Sequence, residues 1–176
     1  MTVFIFVRHG EPDWNLCEEK KLVGARRDLV PLTIRGVKQA EMTRNETSLQ
    51  GAELILTSPY TRTLQTAYIL NEKLALPLQV EIDLHEWIPD KQYSYTSSHE
   101  VDEFYQDFRE HKDIFSPNLK KNWETREEIQ NRVWAVLQKY THYDRVIVVN
   151  HGIVIEVMTG ISNTPHGGIV EMRWNR

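Results

Sequence analysis

An α/β domain spanning residues 1–176, with a largely parallel central sheet and helices on both faces, is the fold this sequence predicts. Three observations point to it. Short apolar runs at 3–7, 53–57 and 145–149 have the length and β-branched content of buried strands. Helix-start signals and helical spacing fill the intervals between them. The chain length of 176 residues suits one hydrophobic core and is small for two.

The elements follow in order. Val3-Phe4-Ile5-Phe6-Val7 reads as the first strand, ended by Arg8-His9-Gly10-Glu11. Residues 11–32 carry Pro12, Gly24 and Pro31 without clear periodicity and read as a long loop, a feature usually tied to function. Thr33 caps a helix to about Ser48, with Ile34, Val37, Ala40 and Glu41 near helical spacing. Glu53 to Thr57 is a second strand. Ser58-Pro59 reads as an N-cap with an N1 proline, opening a helix to about Leu74 whose core stripe is Leu64, Ala67, Tyr68 and Leu74. A third strand covers about Gln79 to Ile82, and a turn lies near Pro89-Asp90 in an aromatic, polar stretch. Ser97-x-x-Glu100 and Thr125-x-x-Glu128 make capping boxes for helices to about His111 and Tyr140. Arg145 to Val149 is the fourth strand, and Asn150-His151-Gly152 leads into a short helix ending at Gly160. Gly168 to Trp174 alternates as an edge strand.

Composition narrows the function classes. Residues are 40% hydrophobic and 26% charged, as in ordinary globular proteins, and no apolar run is long enough to span a bilayer. Met1-Thr2 has no basic stretch before the apolar run, and Cys17 is the single cysteine; both fit a reducing cytoplasm. A formal net charge of −4 provides no general attraction to nucleic acid or to an anionic membrane. An anionic ligand therefore requires cations gathered locally. Nothing in the sequence sets the oligomeric state.

Those cations stand at strand ends. In a parallel sheet the strand C-termini share one edge, where open α/β folds place their ligands. Arg8-His9-Gly10, Thr57-Ser58-Pro59 with Arg62, Glu86 beyond the third strand, and Asn150-His151-Gly152 would then converge on one crevice. Histidine can act as a nucleophile, and arginine offers a planar fork suited to phosphate oxygens. Each residue alone has a plainer reading: His9 a polar strand end, Arg62 an ion-pair partner, His151 a helix cap. Their joint order carries the functional one.

The chain resembles the histidine phosphatase superfamily, the phosphoglycerate mutase-like proteins. The resemblance rests on Arg8-His9-Gly10-Glu11 with Asn15, then on Gly24, Asp28 and Pro31-Leu32-Thr33 with Gly36, Gln39 and Ala40. It continues through Thr57-Ser58-Pro59 with Arg62-Thr63 and Gln65-Thr66-Ala67, Leu84-x-Glu86, and Asn150-His151-Gly152. It implies that His9 attacks phosphorus and becomes phosphohistidine while Arg8, Arg62 and His151 hold the phosphoryl group. Glu86 is the implied acid and base, its pKa raised by neighbouring aromatic residues, with Asp83 and Glu81 close in sequence as the alternative carboxylates. Gly10, Asn15, Gly24 and Gly152 are the implied phosphate- and substrate-binding positions. No cofactor and no metal is implied, and the remaining histidines (His85, His99, His111, His142, His166) lack ligand spacing. Cys17 lacks an arginine six positions on, where Val23 stands, which argues against cysteine phosphatase chemistry.

Two departures concern the substrate. Family members often carry a glycine and a Glu-Gly pair after the acid segment, where Glu86 is followed by Trp-Ile-Pro-Asp-Lys-Gln-Tyr. A glycine-rich Glu-Ser segment before the later helix is replaced by Asn122-Trp123-Glu124-Thr125. The expectation is a metal-independent phosphoric monoester hydrolase of histidine acid or broad type, acting on a small phosphorylated metabolite. The alternatives are a phosphoglycerate-type mutase and a non-catalytic module binding phosphoanions.

Overall fold

In the computed structural model, which describes residues 1–111 and 123–175, strands and helices alternate along the chain. The side chain of His111, and Asn122, both named above, lie outside what is described. The strands are β1 (Thr2–Arg8), β2 (Leu54–Thr57), β3 (Leu78–Val80), β4 (Arg145–Asn150) and β5 (Ile169–Trp174). They form one sheet in the order β3-β2-β4-β1-β5, parallel except for β5, which pairs antiparallel with β1 at an edge. The helices are α1 (Trp14–Glu19), α2 (Ile34–Thr43), α3 (Thr61–Leu74), α4 (Ser98–His111), α5 (Arg126–Gln138) and α6 (Gly152–Thr159).

The period of two along a strand divides the core. Phe4, Phe6, Leu54, Leu56, Val146 and Val148 face one side, where residues of α4, α5 and α6 cover them. Val3, Ile5, Val7, Ile55, Ile147 and Val149 face the other, against Ala67 and Leu70 of α3. Both faces of the central strands are therefore apolar, which is why these strands read as unbroken hydrophobic runs.

Local chemistry sets several ends. Thr125 and Glu128 form the reciprocal capping box at the start of α5. At α4 the Ser97 hydroxyl accepts from Glu100 N (3.3 Å) and the Glu100 carboxylate accepts from Ser97 N (3.3 Å). Gly160 ends α6 in the left-handed region at φ 75°, a conformation that costs glycine little.

Four expectations change. Residues 11–32 contain α1 and a 3-10 turn, Gly24–Leu29, rather than loop alone. The helix after Thr33 ends at Thr43, and Ile34 is exposed while Gly36, Ala40 and Thr43 are buried. The third strand sits slightly earlier, at Leu78–Val80, as an exposed sheet edge. Finally, α3 begins at Thr61 with Tyr60 as its N-cap, because the Ser58 side chain is engaged with His151 instead (2.7 Å). Its buried face is Arg62, Thr63, Thr66, Ala67 and Leu70, leaving Leu64 and Tyr68 outward. That rotation turns Arg62 and Thr66 toward the ends of the central strands.

Candidate active site

Register assembles the site. Arg8 pairs with Asn150 and Thr57 with Val149, so His9, His151 and Ser58 leave three adjacent parallel strands at one edge. The rings of His9 and His151 lie 5.1 Å apart at 66°. A cavity of about 460 Å³ opens here, lined by Arg8, His9, Arg62 and Glu86 among others.

His9 is buried, and its Nδ1 lies 2.7 Å from the Gly10 carbonyl. A carbonyl only accepts, so Nδ1 carries the proton and the lone pair sits on Nε2. Burial, then the charge of Arg62, holds the imidazole well below its ordinary pKa. The ring is thus neutral near pH 7, the form that can attack an electrophile. The N–H of Gly10 donates to Thr66 Oγ1 (3.1 Å), and Thr66 Oγ1 donates to the Arg62 carbonyl (2.8 Å), tying the β1 end to α3.

His151 is fully buried; burial, then Arg62 and His9, holds its pKa well below the usual value. Its Nε2 meets Ser58 Oγ at 2.7 Å. Ser58 Oγ also accepts from Tyr60 N (3.4 Å) and carries one proton that it can donate to His151 Nε2. With Ser58 as that donor the ring proton sits on Nδ1, which has no hydrogen-bond partner.

The two guanidiniums are held at one end and unsatisfied at the other. Arg8 Nη1 donates to the Thr164 carbonyl (2.6 Å), and Arg62 Nη1 to Asp28 Oδ1 (3.0 Å). Arg62 also lies over the rings of Tyr60 (4.9 Å) and Trp14 (5.3 Å). The buried Nε of each arginine lacks a partner. Unpaired buried donors are costly, and four acceptor oxygens on one anion would relieve that cost. Arg8 packs on the first turn of α6: a Cβ on Gly152 would come within 3.1 Å of Arg8 Cζ.

Glu86 is half-buried and accepts from Trp87 N (2.9 Å). Burial pushes its carboxyl above the ordinary carboxylate range; backbone N–H groups of Trp87 and Ile153 and the nearby Arg62 and Arg8 partly offset this. A raised carboxyl pKa suits proton donation near neutrality.

None of the four expected phosphate- and substrate-binding positions is in the cavity lining: the Gly10 N–H is taken by Thr66 and Gly152 packs on Arg8, while Asn15 and Gly24 lie elsewhere. Asn15 is exposed on α1, although Trp14 beside it does line the wall. Gly24, at φ 52°, is buried against residue 93: a Cβ there would stand 2.3 Å from the Tyr93 carbonyl, and Gly24 N donates to the Tyr95 carbonyl (2.9 Å). Its lack of a side chain admits the tyrosine segment. Sequence reasoning assigned no role to Tyr60 or His166, read Ser58 as a helix cap, and used Asp28 only as a motif position. His166 lines the cavity with its ring 5.3 Å from that of His9, and its Nδ1 lies 3.2 Å from the His9 carbonyl. It follows no motif that a linear reading could detect.

Neutral imidazole, paired arginines and a carboxyl with a raised pKa at the strand ends of an α/β sheet define a protein built for phosphoryl chemistry. A family model of the histidine phosphatase superfamily (branch 1) matches residues 4–172, and the chain belongs to that superfamily. It is 33% identical over 180 residues to the Bacillus subtilis protein named "Uncharacterized phosphatase PhoE", covering 100% of this chain and 83% of that one. Among solved structures it shares the fold of Bacillus stearothermophilus YhfR (TM-score 0.76, 19% identity, 99% of this chain and 92% of that one). A mycobacterial glucosyl-3-phosphoglycerate phosphatase complexed with VO3 superposes with TM-score 0.73 at 17% identity, over 97% of this chain and 90% of that one. The protein is a phosphatase of this superfamily. No helix among the described residues is long and apolar enough to cross a membrane.

Proposed function

We propose that the chain hydrolyses a small phosphomonoester in two steps through a phosphohistidine on His9. The observation that carries this reading is the neutral, Nδ1-protonated His9 set beside the unsatisfied donors of Arg8, Arg62 and His151. In the first step His9 Nε2 forms a bond to phosphorus as the P–O bond to the alcohol breaks. Glu86 delivers its proton to the departing oxygen. In the second step the Glu86 carboxylate takes a proton from water, whose oxygen attacks phosphorus and releases inorganic phosphate and free His9. Charge on the transferring group spreads over its equatorial oxygens, where Arg8, Arg62 and His151 Nδ1–H donate.

The direct test is release of inorganic phosphate from a generic phosphomonoester in the presence of a chelator, with no bisphosphate primer. Turnover under those conditions is the expected result. A requirement for a primer supports the mutase reading, and absence of turnover with every ester supports a binding module.

The proton role of Glu86 has its own signature. Because its pKa is raised, the protonated acid persists to higher pH than an ordinary carboxyl. The kcat/KM for an alkyl ester should fall as pH rises through that pKa. Glu86→Gln should lose that limb and about a hundredfold in rate on alkyl esters, and much less on esters of acidic phenols, whose leaving groups need no proton. Survival of the limb in Glu86→Gln would remove Glu86 from the mechanism.

A further inference from the structure

Beyond the phosphoryl position the cavity has a distinct chemistry. Trp87, Tyr93, Tyr95 and Tyr105 line it, together with Val101 and Ile153. Trp87 and Tyr105 stand 6.0 Å apart, and Tyr93 and Tyr95 6.5 Å apart. Burial raises the hydroxyl pKa of both Tyr93 and Tyr95, with Asp28 adding to the effect, so the wall is uncharged near neutrality.

The wall is held in place. The buried Asp90 carboxylate accepts from Gln92 N (3.1 Å), Ser94 N (2.8 Å) and Ser94 Oγ (2.7 Å), fixing the turn. Tyr93 sits at φ 53°, an uncommon conformation for a bulky residue, and its carbonyl packs on Gly24.

Among the described residues that line the cavity, the one cation beside this outer part is Arg27, which stands near Tyr95. The cationic side chains lining the cavity among the described residues are Arg8, Arg62 and Arg27, with His166 beside His9. Arg27 is buried with its donors directed to the Leu22 carbonyl (3.3 Å), Glu18 (3.4 Å) and Ser98. Asp28, the partner of Arg62, and Asp102 on α4 add negative charge to the lining. Among the described residues, a second anionic group on a substrate would meet carboxylates and tyrosine rings, with Arg27 already paired to Glu18. A flat apolar group would bury its faces against four rings.

We propose that the Trp87-Tyr93-Tyr95-Tyr105 wall selects phosphomonoesters whose alcohol half is uncharged and carries an aromatic ring, and rejects those bearing a carboxylate. This rests on the phosphatase reading above and specifies its substrate class. The volume of about 460 Å³ holds a phosphoryl group together with a ring-bearing alcohol.

The experiment compares kcat/KM of the full chain for 2-phenylethyl phosphate, glycerol 3-phosphate, glucose 6-phosphate and 3-phosphoglycerate. Their leaving groups are all aliphatic alcohols, so the ratios report the fit of the alcohol half more than its leaving ability. The aromatic ester should exceed glycerol 3-phosphate about tenfold or more, the gain expected from burying one ring, and 3-phosphoglycerate should be the poorest. Tyr93→Asn, a residue that tolerates positive φ, should narrow the first ratio about fivefold through KM. Asp102→Lys, at an exposed position, should raise 3-phosphoglycerate relative to the aromatic ester about threefold. Turnover with 3-phosphoglycerate or a sugar phosphate preferred, or ratios unmoved in both variants, overturns the proposal while leaving the phosphatase reading intact. No turnover with any ester overturns both.

Discussion

His9→Ala is expected to lower kcat by about ten-thousandfold or more, with the fold retained. The imidazole is buried and neutral, and its free nitrogen is set by a hydrogen bond on the other, Nδ1 to Gly10 O at 2.7 Å. Removing it leaves Arg8 and Arg62 able to bind phosphate but nothing to receive phosphorus, so product affinity should change far less than kcat. Any residual rate then belongs to direct attack by water on an ester held by the same cations. The effect on stability is modest by comparison, because the side chain lines a cavity. Measurement of kcat beside inhibition by inorganic phosphate separates the two. Equal losses in both would reduce His9 to a binding group.

The second large effect is at Arg62. Its guanidinium spans Asp28, the faces of Tyr60 and Trp14, and the site, with Nε unsatisfied. Arg62→Lys keeps a charge but loses the planar fork and should cost about a hundredfold in kcat. Arg62→Gln adds a pH signature whose sign follows from electrostatics. Arg62 is the second cause, after burial, of the low pKa of both His9 and His151. Taking away the positive charge lets His9 hold its proton to higher pH, and the protonated ring cannot attack. The acidic limb of kcat/KM should therefore move to higher pH in Arg62→Gln and stay near its original place in Arg62→Lys. Thermal melts of both variants distinguish chemical loss from loss of fold, since Asp28 loses its charged partner in Arg62→Gln. A shift of the limb to lower pH would contradict this electrostatic picture.

How far these features were legible in the sequence depended on the range of the forces behind them. The strands could be read because both faces of β1 and β4 are buried and the apolar runs are continuous. Parallel pairing then implied that His9 and His151 share an edge, and the Arg8–Asn150 register places them side by side. The start of α3 was misread because Ser-Pro is a strong local helix opener, whereas the Ser58 hydroxyl is taken by a histidine 93 positions away. The same competition exposed Leu64 and Tyr68, whose spacing matched a core stripe: the rotation of α3 is set by Arg62 and Thr66 reaching the strand ends. Gly24 was marked by its motif, but its contact with the Tyr93 carbonyl is long-range and invisible locally. His166 carries no spacing signal at all, since only the return of β5 beside β1 brings it to His9.

The central claim is covalent transfer of phosphorus to His9. Rapid quenching of the protein during turnover of a radiolabelled phosphomonoester, followed by peptide mapping, tests it most directly. The account predicts label on the peptide containing His9, stable in base and lost in acid, and absent from His9→Ala. Turnover with no trapped label on that peptide, or with label on Ser58 instead, would contradict it.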